Sequence, residues 1–129
     1  MINVFVKKTG NYALSVPKIK NHLRAFLEGR GIVSDADVSV SIVSEKRMKK
    51  LAKDYLKEDN GIHNVLSFPF MEDDNDFVEP PDNVLHLGEI IICYPKVVEE
   101  AKKESKLIDD KAKELVEHGA LHLLGEHHN

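Results

Sequence analysis

The stretch Asp37-Val38-Ser39-Val40-Ser41-Ile42 alternates polar and apolar residues without a break. Side chains on a β-strand point to opposite faces with a period of two, so this pattern predicts a half-buried strand with Val38, Val40 and Ile42 turned to a core. Just after it, Ser44 is placed to cap a helix whose inward face is Met48, Leu51, Ala52 and Tyr55. Before it, Ser15 is placed to cap a helix that begins near Pro17 and carries the stripe Val16, Ile19, Leu23, Phe26 and Leu27. Gly29 and Gly31 end that helix. Further out still, Ile2, Val4 and Val6 alternate as a first strand.

The second half continues the scheme. Asp59-Asn60-Gly61 is a turn signal, and residues 64–70 and 84–93 read as two more strands. Between those strands lies a polar loop, residues 72–82, with Pro80-Pro81 inside it. Pro95 opens a helix to about Lys106, and Asp109 or Asp110 caps a last one running to Leu124. The order β-α-β-α-β-β-α-α predicts an α/β (α+β) fold: one mixed four-stranded sheet with helices packed on it. There is no internal repeat and no linker, and 129 residues suit one domain, so 1–129 is read as a single domain.

Composition narrows the function classes. A single Cys forms no internal disulfide, which points to a reducing, cytoplasmic compartment. The start, Met-Ile-Asn-Val-Phe-Val-Lys-Lys, meets charge too early for a signal peptide, and no apolar run approaches the roughly 20 residues of a membrane span. The net charge of −4 conceals an uneven distribution: residues 1–71 carry 12 Lys/Arg against 7 Asp/Glu, and residues 72–129 carry 6 against 15. Basic density peaks at Lys46-Arg47-Met48-Lys49-Lys50, with Lys53 and Lys57 following. That run reads either as a solvated helix face or as the side from which a polyanion approaches. Three Tyr, five Phe and no Trp leave little material for stacking bases.

The chemistry is concentrated at the C-terminus. Four of seven histidines fall in the last twelve residues, within His118-Gly-Ala-Leu-His122-Leu-Leu-Gly125-Glu-His127-His128. His118 and His122, four apart on a predicted helix, project from one face. Gly125 suits the left-handed conformation that ends a helix, after which the chain can fold back and bring His128 to the pair. Three neutral imidazoles with an open fourth position describe a catalytic zinc site. A His pair alone is more often ordinary surface; Gly125 and His128 at this spacing tip the reading to metal. The spacing is also that of the metzincin peptidases, whose residue after the first His is a Glu base. Gly119 stands there in this chain and offers no proton acceptor. His127 is either a neighbour of the ligand set or an exposed chain end.

These residues resemble the YbeY endoribonuclease family, whose C-terminal motif reads H-G-x-L-H-L-x-G-aromatic-D-H. His118, Gly119, Leu121, His122, Leu123, Gly125 and His128 match it. Asn64-Val65-Leu66-Ser67-Phe68-Pro69-Phe70 resembles a second family segment, and Leu87-Gly88-Glu89-Ile90-Ile91-Ile92 a third. Their order and spacing agree, so the resemblance runs from about residue 40 to the C-terminus. It implies a zincin-like α/β fold and a metal-dependent endoribonuclease that prefers single strands. It further implies a part in maturing the 3′ end of small-subunit ribosomal RNA and in ribosome quality control. The implied partners are single-stranded RNA, ribosomal RNA foremost, and the small ribosomal subunit or its factors, with no membrane. The implied ligands are His118, His122 and His128, holding one zinc ion.

Two departures from the family stand out. Glu126-His127 replace the aromatic-Asp pair, which makes His127 the candidate for the catalytic part of that Asp. The family's second helix places an Arg just after a Tyr, where this chain has Tyr55-Leu56-Lys57. Lys57 is then the nearest catalytic and phosphate-binding replacement, a point charge without the guanidinium fork. Of the remaining residues, Ser67 and His63 are candidates to face the site, Ser67 for substrate, while Val65, Leu66 and Phe68 read as core. The strand they form offers its backbone to extended substrate if it is an edge. Asp54, Asp59 and Glu89 are possible bases or supports for the ligands, each read first as structural; His86 is given no role, and Cys93 reads as a buried small hydrophobe. The expected mechanism has the metal polarise a phosphoryl oxygen or activate water, or a 2′-hydroxyl as nucleophile, with Lys57 and its basic neighbours holding phosphates. Two alternatives are a catalytically weakened, metal-binding ribosome assembly factor and a metallopeptidase.

Overall fold

The structure is a computed structural model that describes residues 1–57, 62–70 and 83–125. Its elements follow the expected order: β1 (Ile2–Lys8), α1 (Val16–Gly29), β2 (Ala36–Val43), α2 (Glu45–Leu56), β3 (Val65–Pro69), β4 (Leu85–Cys93), α3 (Tyr94–Lys103) and α4 (Ile108–Leu123). The strands form one four-stranded sheet in the order β1-β2-β4-β3. β2 is parallel to both its neighbours, and β3 runs antiparallel to β4 at the edge. The mixed α/β architecture is therefore as expected. The turn at residues 59–61, the loop at 72–82, and His127 and His128 lie outside the described residues.

The period-two pattern sorts the sheet into two unlike faces. Ala36, Val38, Val40 and Ile42 of β2 join Ile2 and Val4 of β1 and Ile90 and Ile92 of β4 on one side. Ile19, Leu23 and Leu27 of α1, Val97 of α3, and Ala112, Leu115, Val116 and Ala120 of α4 pack into the same core. On the other side a smaller cluster gathers Val43, Met48, Leu51, Leu66, Ile91 and Cys93 beneath α2. Each fully buried aliphatic side chain contributes roughly 1.5–3 kcal/mol, so the face under α1 and α4 carries most of the hydrophobic stabilisation.

Local signals account for the helix starts. Ser15 Oγ accepts from the Lys18 N–H at 3.4 Å, and Ser44 Oγ accepts from the Arg47 N–H at 3.2 Å. At three places the structure departs from expectation. α3 stops at Lys103, short of Lys106, because Ser105 turns left-handed at φ 54°. α4 has Leu107 at its cap position with no side-chain cap. Asp109 sits inside the first turn, and its Oδ1 accepts from the Ser15 backbone N–H at 3.0 Å, joining the starts of α1 and α4. Tyr55 is not inward: it is 67% exposed, since Met48 and Leu51 already close the small cluster, and its ring rests tilted against Phe68 at 5.3 Å.

One glycine sets how closely β3 lies on β4. Gly88 has φ +135°, and a Cβ there would stand 2.3 Å from the carbonyl oxygen of Phe68. An L side chain is excluded by both counts. The edge strand is thus seated on β4 at the level of Phe68 and Pro69, which fixes the register at which its next residues face α4.

Candidate metal centre

α4 is apolar on the side that meets the sheet, where Ala112, Leu115, Val116, Gly119 and Ala120 are buried. His118 and His122 emerge at the margin of that stripe and are exposed. Their ring centroids lie 4.7 Å apart with the planes at 56°. Together with Gly119 of the same helix and Val65, Leu66 and Ser67 of β3, they line a cavity of about 190 Å³. The i, i+4 spacing therefore does what the sequence suggested, and Ser67 is brought to the pair. Gly125 takes φ +77°, and its N–H bonds to the His122 carbonyl at 3.0 Å, so the helix ends where expected.

Packing at Gly119 explains its identity. A Cβ there would lie 2.7 Å from Cγ2 of Ile90, so α4 rests directly on β4 at this point. The position that carries a Glu base in the metzincin signature is thus pressed against an aliphatic floor, with no room for a carboxylate. The peptidase alternative has no place for its base.

Neighbouring charges hold this end of the molecule together. Lys111 is 5% exposed, and its ammonium reaches Glu104 at 2.8 Å, Glu114 at 3.4 Å and Glu100 at 3.5 Å. Glu100 Oε1 in turn accepts from the side-chain amide of Asn64 at 3.1 Å, just before β3. One cation thereby ties α3 and α4 to the entrance of the strand that faces the histidines. Burial works against the Lys111 charge, but Glu104, Glu114 and Glu100 more than offset it and raise its pKa. The Glu104 carboxyl is held low by the hydrogen bond from Lys111, then by Lys106; Glu114 is held low first by Lys106. Beside the pair, Glu117 Oε1 meets His22 Nε2 at 3.0 Å, so the turn before His118 is tied to α1. The Lys111–Glu114 pair, three apart on α4, is local. The links of Lys111 to Glu100 and Glu104, of Glu100 to Asn64 and of Glu117 to His22 join different elements and are not visible in sequence.

The other predicted residues are scattered. Lys57 ends α2 in a left-handed conformation, exposed, and does not line the cavity shared by the histidines and Ser67. Asp54 forms an exposed i, i+4 pair with Lys50 at 3.3 Å, and Asp59 lies outside the described residues. Glu89 faces a separate groove on the α2 side of the sheet, where its Oε1 accepts from Ser41 Oγ at 3.0 Å. His86, given no role, has Nδ1 at 2.9 Å from both carboxylate oxygens of Asp37, its partner across the β2–β4 pair. Cys93 is fully buried as expected, and burial pushes its thiol pKa up. Among the described residues no three His, Cys, Asp or Glu side chains cluster as a metal site, and His128 lies beyond them. The donor chemistry fits zinc nonetheless: two imidazoles sit side by side over a cavity instead of packed into the core. Among the described residues no helix is long and apolar enough to cross a membrane.

What these features define is an α/β protein carrying a helical His-x3-His pair beside an antiparallel edge strand. A family model described as Endoribonuclease YbeY matches residues 7–129. An Endoribonuclease YbeY of Dehalococcoides mccartyi is 32% identical over 135 residues, covering 99% of this chain and 78% of that protein. One of Macrococcus caseolyticus is 35% identical over 116 residues, 90% of this chain and 74% of that protein. The solution structure of TM1509 from Thermotoga maritima superposes with a TM-score of 0.59 at 29% identity, covering 98% of this chain and 75% of that one. The chain belongs to the YbeY endoribonuclease family.

Proposed function

We propose that this protein is a metal-dependent, cytoplasmic endoribonuclease that cleaves single-stranded RNA and takes part in maturing the 3′ end of small-subunit ribosomal RNA and in ribosome quality control. Family membership supports the reaction class. The single observation that carries the site is the His118–His122 pair, side by side and opening with Ser67 onto one cavity beside β3, the edge strand among the described residues. His118, His122 and His128 hold the zinc, in a zincin-like arrangement of helix and antiparallel edge strand. Zinc held there supplies Lewis-acid chemistry, polarising a phosphoryl oxygen and making water acidic enough to ionise near neutral pH.

The chain's own residues then divide the remaining work. Ser67 donates to or accepts from the substrate in the cavity, and the edge of β3 offers backbone groups to an extended strand. Lys57 and the other cations of α2 attract the phosphates, and His127 takes the proton-handling place of the family's Asp. The test is to measure bound metal and cleavage of a single-stranded RNA with and without chelator. Cleavage is expected only with metal. If His122→Ala retains full metal content and full activity, the site assignment fails. Tight association with small ribosomal subunits, without cleavage under any metal, would instead mark an assembly factor.

A further inference from the structure

Among the described residues, the sheet face opposite the main core is only partly covered. α2 walls one side with Arg47, Leu51 and Tyr55, which stand four residues apart on one stripe, and among the described residues no helix covers the other side. The resulting groove has a volume of about 460 Å³, within the usual range of about 300–1,000 Å³ for small-ligand sites. It is separate from the histidine cavity, although Ser67 and Phe68, neighbours on β3, face one each.

The groove has two chemically distinct ends. At one, Lys7 of β1, paired in register with Ser41 of β2, lines the groove with Thr9 and with Arg47 of α2. Among the described residues neither cation has an ion-pair partner, so the groove lining carries two cations against the single carboxylate of Glu89. At the other, the exposed Tyr55 ring leans on Phe68 over the floor of Ile91. Glu89 lies between the ends, directly across the sheet from Phe68. It already accepts from Ser41, and its second oxygen, which has no hydrogen-bond partner among the described residues, can accept from the amino group of a base. Two cations suit a phosphate, and an aromatic shelf suits a base; the Thr9 and Ser41 hydroxyl protons are already given to the Ile42 carbonyl and Glu89 Oε1.

We propose that this groove is a nucleotide-binding site, with the phosphate held by Lys7 and Arg47 and the base laid against Tyr55 and Phe68. The ligand is a phosphorylated nucleoside, either free or as one unpaired unit of an RNA strand. Its recognition needs both ends of the groove at once.

The test is an NMR titration of the full-length, isotopically labelled chain. The probes are cytidine 5′-monophosphate, cytidine, inorganic phosphate and a single-stranded pentaribonucleotide. The monophosphate or the pentanucleotide should shift the amides of Ser41, Val43 and Ile91. Cytidine and phosphate alone should bind at least about tenfold more weakly, since each meets one end only. A shift by the pentanucleotide identifies an RNA unit; a shift by the monophosphate alone identifies a free nucleotide. Tyr55→Ala, and Lys7→Ala with Arg47→Ala, should each weaken binding about tenfold while melting at the wild-type temperature, as these side chains are exposed. His118→Ala should leave the groove shifts in place, so failure of the endoribonuclease reading and failure of this one are separable. Unshifted groove amides with both nucleotide probes, or wild-type binding by both variants, overturns the proposal.

Discussion

The two faces of the sheet are built from the same strands but do different things. Under α1 and α4, Val38, Val40, Ile42, Ile90 and Ile92 are almost wholly excluded from water and meet a second layer of aliphatic side chains. Under α2 the alternate positions of the same strands carry Asp37, Ser41, Glu89 and His86, in two polar pairs, beside a short apolar strip. One face holds the molecule up, while the other keeps polar groups exposed at some cost in stability. The histidine pair stands where α4 passes β3, the edge strand among the described residues, and is fixed by the closed face and exposed. Rigid support next to an open edge is the arrangement a preorganised site requires.

The most severe way to break this contrast is at Gly119. Gly119→Glu drives a carboxylate into Ile90, and a loss of more than about 4 kcal/mol, or no folded protein, is expected in urea unfolding followed by circular dichroism. A paired truncation sharpens it. Leu23→Ala on the closed face should cost about 3–5 kcal/mol, whereas Leu51→Ala, at the rim of the open groove, should cost nearer 2. Equal losses would mean that both faces are core.

Next comes the buried cation. Lys111→Ala should cost about 2 kcal/mol at pH 7, because the ammonium's hydrogen bonds to carboxylates disappear. The lowered Glu104 and Glu114 pKa values stabilise the fold above the unfolded carboxylate value of about 4.3, and that contribution is lost as pH falls through the folded values. The raised Lys111 and Lys106 values stabilise it below about 10.4, with loss as pH climbs through the folded values. The gap between wild type and variant should therefore be flat from about pH 5 to 10 and narrow below about pH 4, as thermal melts across that range would show. Smallest is Asp109→Ala, which leaves the Ser15 N–H without its acceptor and should cost about 1 kcal/mol by the same melts.

Much of this was legible before the structure. The alternation around Val40 and the capping serines Ser15 and Ser44 are local signals, and they placed β2, α1 and α2 correctly. His118 and His122 were legible for the same reason: an i, i+4 spacing is a statement about one helix. What the sequence concealed were relations between elements. Period two says that Glu89 and Ile90 face opposite ways, but not that Ile90 meets α4 while Glu89 faces a groove under α2. Tyr55 fits the helical stripe of Met48 and Leu51, yet nothing local reveals that the small cluster ends before it. Lys111 reads as a surface charge until Glu100 and Glu104 arrive from α3. Lys57 follows the Tyr that marks the family's Arg, but the end of α2 sets it apart from the cavity.

The central claim is that the C-terminal histidines hold the metal on which RNA cleavage depends. It is tested most directly by measuring bound zinc and single-stranded RNA cleavage together on the same preparations of wild type and His118→Ala. The account predicts one zinc per wild-type chain with cleavage abolished by chelator. For the variant it predicts lost zinc and a fall in rate of at least about 100-fold, with the wild-type fold intact. A variant that cleaves at the wild-type rate, with or without its metal, would contradict it.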